Sequence, residues 1–338
     1  MRRIACLAGA LAILVLAACG STTVVREPNV DVPDAPRPAA PDARRPAAEG
    51  GGVRIAVVTH GQASSAFWAI VRNGVEAAAK QMDVVVNYRA PDVYSLQRME
   101  ELIDEAVASR PDGLVVSFPE PGLADAIRRA VRAGVPVVSI NSGSDVAAKL
   151  GVLAHVGQPE ARAGLEAGRR LVQAGARRVL CVNQQIGNQG LDDRCTGLAR
   201  ALRAVGGSSR VLGVDDMDAA TPRRVAAVLR RERIDGVLAL NSLSGLQVVE
   251  AAKQARVRVA IASFDLAPAV LQAVKAGDLL FAVDQQAYLQ GYLPVVLLTE
   301  RARYGLFPAQ GDVLPTGPNF VTRDDVDRVI ELSRRSIR

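Results

Sequence analysis

The chain has 338 residues, 49% hydrophobic and 22% charged. That is enough apolar mass for a sizeable core and too long for the commonest single-domain size, so two lobes are expected. The formal net charge of +6 includes Arg2 and Arg3, and the other basic residues are mostly arginines scattered over helical stretches. A nucleic-acid surface would need them clustered, so no nucleic-acid partner is expected.

In chain order, Arg2 and Arg3 precede a nearly unbroken apolar run from Ile4 to Ala18. A membrane-spanning helix needs roughly 20 residues, so residues 1–18 fit a secretory signal peptide. The run closes on Leu16-Ala17-Ala18-Cys19, which resembles the lipobox of bacterial lipoproteins. The resemblance implies lipidation of Cys19 and a membrane anchor on an exported protein in the periplasm or at the cell surface. Residues 20–52 hold six prolines, many alanines and Gly50-Gly51-Gly52, with no apolar period, and read as an extended, disordered tether. Cys6 leaves with the signal. Cys181 and Cys195 remain in an oxidising compartment, where a disulfide is the expectation and two free buried thiols the alternative.

From Val53 onward short strands rich in Val, Ile and Leu alternate with amphipathic helices. The strands expected are Arg54–Thr59, Val84–Tyr88, Gly113–Ser117, Pro136–Asn141, Val179–Asn183, Val211–Val214, Gly236–Asn241, Val259–Phe264 and Leu280–Asp284. One helix starts at Ser95, with Leu96, Met99, Leu102, Ile103 and Val107 along one side, and another starts near Pro121. The alternation predicts an α/β fold with parallel, doubly wound sheets. It also repeats. Asp112-Gly113-Leu114-Val115-Val116, a helix and Val135–Asn141 are echoed by Asp235-Gly236-Val237-Leu238-Ala239, a helix and Val257–Asp265, which predicts two Rossmann-like lobes.

In open parallel sheets ligands bind at the carboxyl ends of the strands. Those ends carry Ser117, Asn141, Asn183, Asn241, Asp265 and Gln285. Amides donate and accept while a carboxylate accepts, which suits a small neutral polyhydroxy ligand such as a sugar or polyol and suits a phosphate poorly. The alternative for any one of them is a turn former or helix cap. The first loop, His60-Gly61-Gln62-Ala63-Ser64-Ser65-Ala66-Phe67-Trp68, adds Phe67 and Trp68, the latter the only tryptophan. An aromatic face covers the C–H side of a sugar ring; a core aromatic at a helix start is the alternative. His60 is expected near the site, His155 less so. No G-x-G-x-x-G, P-loop or G-x-S-x-G occurs, so neither an enzyme nor a cofactor is expected. Asp215-Asp216-Met217-Asp218 lacks the glycine and distal glutamate of a calcium loop and reads as a solvated turn, so no metal is expected.

Over about residues 53 to 320 the chain resembles the type I periplasmic solute-binding proteins of ABC transporters, in the ribose-binding branch. The carriers are Ser64-Ser65-Ala66-Phe67-Trp68, the Pro111-Asp112-Gly113-Leu114 and Ile234-Asp235-Gly236-Val237 turns, Ile140-Asn141, Asn241, Phe264-Asp265 and Asp284-Gln285-Gln286. The resemblance implies two lobes joined by three crossovers, near Val156, Gln285 and Asp312. The first lobe would hold 53–156 and 286–312, the second 157–285 and 313–338. It also implies a ligand site of Ser65, Phe67, Trp68, Ser117, Asn141, Asp192, Asn241, Asp265 and Gln285, a monomer, and an ABC permease as partner. Ribose binders carry an Asp-Arg pair where this chain has Asn141-Ser142, and an arginine where it has Asp192. These departures point to another monosaccharide or a sugar alcohol. A ligand sensor for a chemoreceptor or kinase, or a binder of another solute such as a nucleoside, is the alternative.

Overall fold

The computed structural model describes residues 52–61, 66–215, 217–308, 311–334 and 337. The signal peptide, Cys19, nearly all of the tether, Ser65 and Asp216 lie outside them. Two six-stranded sheets organise the chain, each with helices on both faces.

The first half runs β1 (Arg54–Val58), α1 (Ala66–Met82), β2 (Val85–Arg89), α2 (Leu96–Ala108), β3 (Gly113–Ser117), a 3-10 turn (Pro121–Leu123), α3 (Ala124–Arg132), β4 (Val137–Ile140), α4 (Ala147–Leu150) and β5 (Ala154–Gly157). The second runs α5 (Glu160–Gln173), β6 (Arg178–Asn183), α6 (Gln189–Arg203), β7 (Ser208–Gly213), α7 (Thr221–Arg231), β8 (Gly236–Ala239), α8 (Ser242–Ala255), β9 (Ala260–Phe264), α9 (Pro268–Ala276) and β10 (Phe281–Asp284). The chain then returns through α10 (Ala287–Tyr304), β11 (Asp312–Pro315), β12 (Asn319–Val321) and α11 (Val326–Ser333).

The sheet orders are β11-β5-β4-β3-β1-β2 and β12-β10-β9-β8-β6-β7. Every pairing is parallel except β10 with β12. The lobes are therefore linked three times: between β5 and α5, between β10 and α10, and between β11 and β12. The third link falls after Pro315 rather than near Asp312, because Asp312–Pro315 pairs with Ala154–Gly157 and belongs to the first sheet.

Each strand of the expected set forms, Gly113–Ser117 with the expected bounds and the others with one or both ends shifted. The strand expected to reach Asn241 stops at Ala239, because Asn241 caps α8 by accepting from Ser244 N at 2.8 Å. The strand expected from Val211 begins at Ser208; it is an edge strand with several exposed residues, so no apolar run marks its start. The helix expected from Ser95 has Ser95 as its N-cap, accepting from Arg98 N.

The repeat has a structural counterpart. Asp112 accepts from Arg54 N at 2.8 Å, and Asp235 accepts from Arg177 N at 2.8 Å and Arg178 N at 2.6 Å. In each lobe the aspartate of the Asp-Gly turn thus ties the start of one strand to that of its neighbour. Apolar side chains fill both faces of both sheets, around Ile103, Leu114 and Ile127 in the first lobe and around Leu180, Val237 and Phe264 in the second. Cys181 on β6 and Cys195 on α6 are joined by a disulfide.

Candidate functional site

Residues just beyond β4 and β9, equivalent strands of the two lobes, occupy the same unusual backbone conformation. Asn141 has φ 69° and Asp265 has φ 65°. Asn and Asp tolerate this left-handed region better than other side-chain-bearing residues. The turn re-aims both side chains, and they meet across the link after β10. Asn141 Nδ2 lies 3.4 Å from Gln285 Oε1 and 3.3 Å from Gln290 Oε1, and Gln285 Nε2 donates to Asp265 Oδ1 at 2.6 Å. Gln290, from α10, also donates to the Gln285 carbonyl at 3.2 Å and lies 3.2 Å from Thr316 Oγ1. One polar chain therefore runs from the first lobe, through two of the three links, to the carboxylate of the second. Phe67 and Ile70 from α1 close over Asp265, Leu266 and Gln285 in a small cavity between the lobes.

Asp265 is 9% exposed. Burial raises its pKa to about 6, against the positive charge of Arg194 and the Gln285 hydrogen bond, which lower it; Glu160 and Asp284 push the same way as burial. The carboxylate is therefore ionised at neutral pH yet poorly solvated, an acceptor suited to ligand hydroxyls.

The other expected site residues hold local roles. Ser117 Oγ accepts from His60 N at 2.8 Å and pairs with His60 Nδ1 at 2.8 Å. Asp192 accepts from Asn183 Nδ2 at 2.9 Å and from Gly187 N at 3.1 Å, both within its own lobe. Trp68 is buried in the first-lobe core, edge-on to His60 with centroids 4.8 Å apart, whereas Phe67 is half-buried. His60 is pulled down to about 3 by burial, and His155 to about 4 by burial against a bond to the Asn141 backbone. Both are neutral at physiological pH.

Sequence reasoning missed Gln290 and the buried pair Arg194–Glu160. Arg194 does leave a signal: it lies at helical spacing among Leu191, Cys195 and Leu198, where an apolar residue is expected.

The lobes also touch at the start of α6. Gln189 N donates to the Pro119 carbonyl at 2.8 Å, and Ser142 Oγ donates to Asn188 Oδ1 at 3.1 Å. No group of three or more acidic, histidine or cysteine side chains able to hold a metal occurs among the described residues.

Two lobes, three links and a polar cleft are the plan of a solute-capturing protein, and the model of the periplasmic binding protein domain matches residues 55–305. The chain belongs to the periplasmic binding protein family. Its two mostly parallel α/β lobes are the type I fold of that family. A carbohydrate transporter from Acidothermus cellulolyticus 11B, solved in complex with myo-inositol, is 34% identical, with a TM-score of 0.80 over 85% of this chain and 100% of that one. The xylose/arabinose-binding protein XylF of Sulfolobus acidocaldarius is 24% identical over 79% of this chain and 71% of its own length. A solute-binding protein from Burkholderia graminis C4D1M, solved with D-arabinose, has the same fold, with a TM-score of 0.73 at 22% identity over 81% of this chain and 96% of that one.

Proposed function

We propose that this periplasmic binding protein captures a monosaccharide or, with more support, a sugar alcohol between its lobes and delivers it to the permease of an ABC importer. The observation that carries the reading is the cleft chain Asn141–Gln285–Asp265 beside the half-buried Phe67. It offers amides of both senses, one carboxylate and an apolar wall, which is what a neutral ring of hydroxyls requires. The sugar-alcohol emphasis rests on the 34% identity to a protein solved with myo-inositol. It also rests on Asn141-Ser142 and Asp192, which stand where the resemblance to ribose binders implies an Asp-Arg pair and an arginine.

In this reading Phe67, Asn141, Asn241, Asp265 and Gln285 contact the ligand, as does Ser65, which lies outside the described residues. Trp68, Ser117 and Asp192 support the walls. The protein performs no chemistry on its solute. Cys19 anchors it to the membrane, and the tether of residues 20–52 lets the lobes reach a permease as a monomer. A thermal-shift panel of myo-inositol, other cyclitols, pentoses, hexoses, nucleosides and amino acids tests the reading. Polyols or sugars raise the melting temperature if it is right; stabilisation by nucleosides or amino acids alone refutes it.

A further inference from the structure

Helices α7 and α8 end, and strands β8 and β9 begin, at the face of the second lobe turned away from Asn241 and Asp265. The connection from α8 to β9 departs there from its counterpart in the first lobe. In the first lobe Gly134, with φ 78°, makes the turn out of α3, and Val135 and Pro136 lead to Val137, which pairs with Leu114. In the second, Arg256, with φ 56°, makes the turn out of α8. Val257, Arg258, Val259 and Ala260 then lead to Ile261, which pairs with Val237, the counterpart of Leu114. The two turns are closed alike: Val135 N donates to the Ala130 carbonyl and Val257 N to that of Ala252, each at 3.2 Å. Glycine enters this left-handed region freely, whereas the Cβ of an arginine makes it unfavourable. The second lobe thus has a longer link, a strained turn and two guanidinium groups where the first has glycine and proline.

This link borders an open groove of about 590 Å³. Val257, Val259 and Ile261 give it an apolar lining, and Lys253, Arg256 and Arg258 a positive one. Asp278, also in the lining, is paired with Lys253 at 2.9 Å. Arg230 and Arg231 in the last turn of α7, and Arg233 just beyond it, are exposed and carry the positive face onward. The acids beside them are engaged, Glu232 by Arg210 at 3.2 Å and Asp235 by Arg178 at 3.6 Å. Arg230, Arg231, Arg233, Arg256 and Arg258 have no carboxylate partner among the described residues. The helix dipole accounts for basic residues in a last turn. It does not account for Arg256 in a left-handed turn or for Arg258 outside the helix. Free guanidinium groups beside an apolar lining are complementary to an amphiphile with a phosphate head. In the proposed reading Cys19 holds the chain to a membrane, so anionic phospholipid is the amphiphile within reach. We propose that the groove binds the headgroup of an anionic phospholipid, its phosphate on Arg256 and Arg258 and its first acyl carbons against Val257 and Val259. The tethered protein gains a second, salt-sensitive hold on the bilayer that leaves the solute cleft free. The proposal goes beyond the sugar reading and does not depend on it.

The test sediments the mature chain with vesicles of phosphatidylcholine alone and of phosphatidylcholine mixed with phosphatidylglycerol. Cys19→Ser ensures that no acyl chain contributes. Arg256→Gly/Arg258→Ala strips the groove of its free charge and keeps the fold, because glycine suits the backbone at 256. Arg110→Gly/Arg132→Ala removes the same charge from the corresponding end of the first lobe, where Arg110 also has a positive φ of 50°. The native protein should bind the mixed vesicles, ignore the neutral ones and be released by high salt. The groove variant should bind at least about tenfold more weakly, and the first-lobe variant within about threefold of native. A groove variant that binds like the native protein, or two variants that lose binding equally, overturns the proposal. So does a native protein that ignores the mixed vesicles; its retention on poly-glutamate would then point to an acidic protein as the partner. Glycerol phosphate at the phosphate concentration of the vesicles should not displace the protein, and displacement overturns the lipid as the occupant. Sugar affinity, read by calorimetry, should be native in both variants.

Discussion

Replacing Gly190 by alanine should weaken binding without weakening the fold. Gly190 lies in the first turn of α6, where the second lobe meets the first. A Cβ there would stand 2.7 Å from Ser142 Oγ and 3.2 Å from Ser142 Cβ across the lobe contact, and 3.3 Å from Glu160 Cγ. The Ser142 hydroxyl has little room to give way, since it is held between Asn141 Oδ1 at 3.2 Å and Asn188 Oδ1 at 3.1 Å. Overpacking of this kind costs about 1–3 kcal/mol, and the part against Ser142, which supplies the two shortest contacts, is felt only when the lobes meet. Binding that requires closure should therefore weaken by roughly 5- to 150-fold. Glycine to alanine in a helix favours the folded state by up to about 1 kcal/mol, so the melting temperature measured without sugar should hold or rise. Isothermal calorimetry and differential scanning calorimetry on the same preparations separate the two effects. Adding Ser142→Gly should restore much of the affinity, because it removes the two atoms that crowd the new Cβ across the lobe contact. Native affinity in Gly190→Ala, or a parallel fall in affinity and melting temperature, would refute the closure argument.

Asp265→Asn should weaken sugar binding by about 10- to 100-fold, the range for losing hydrogen bonds to a charged acceptor. Native affinity should itself decline below about pH 6, where Asp265 takes up a proton, and Asp265→Asn should flatten that profile; an equal pH dependence in both proteins contradicts the assignment. Stability should fall on acidification, because His60 and His155 are held at about 3 and about 4, below their ordinary 6.5. The unfolded chain takes up these protons from pH 6.5 downward and the folded one does not, so by pH 5 the two cost about 4 kcal/mol. The raised pKa of Asp265 acts in the opposite sense and offsets about 1 kcal/mol of this. Urea unfolding at pH 7 and pH 5 checks the net loss, and equal stability at both refutes it. Reducing the Cys181–Cys195 disulfide, which spans 14 residues, should cost about 3 kcal/mol; a melting temperature indifferent to reductant contradicts that.

The repeat was the most legible part of the fold, because a parallel sheet buried on both faces writes nearly continuous Val, Ile and Leu into its strands. Strands outside that rule were missed. β5 carries His155, whose imidazole pairs with Ser139 Oγ at 3.0 Å and so interrupts the apolar run. β11 ends on Pro315, and β12 is a three-residue antiparallel edge. Within the site, Asn141 and Asp265 were legible because they close equivalent strands of the repeat. Gln290 was not, because one amide on a long apolar helix looks like surface until its burial and its three polar neighbours Asn141, Gln285 and Thr316 are known. Trp68 shows the reverse: an aromatic in the right loop that packs into the core beneath the site while its neighbour Phe67 faces the cleft.

Calorimetric titration of the protein with myo-inositol tests the central claim most directly. The account predicts saturable one-to-one binding near the micromolar range, roughly −8 kcal/mol, lost or strongly weakened in Asp265→Asn. Absence of heat with myo-inositol and with every other cyclitol, pentose and hexose, from protein whose cooperative melting shows it folded, would contradict it.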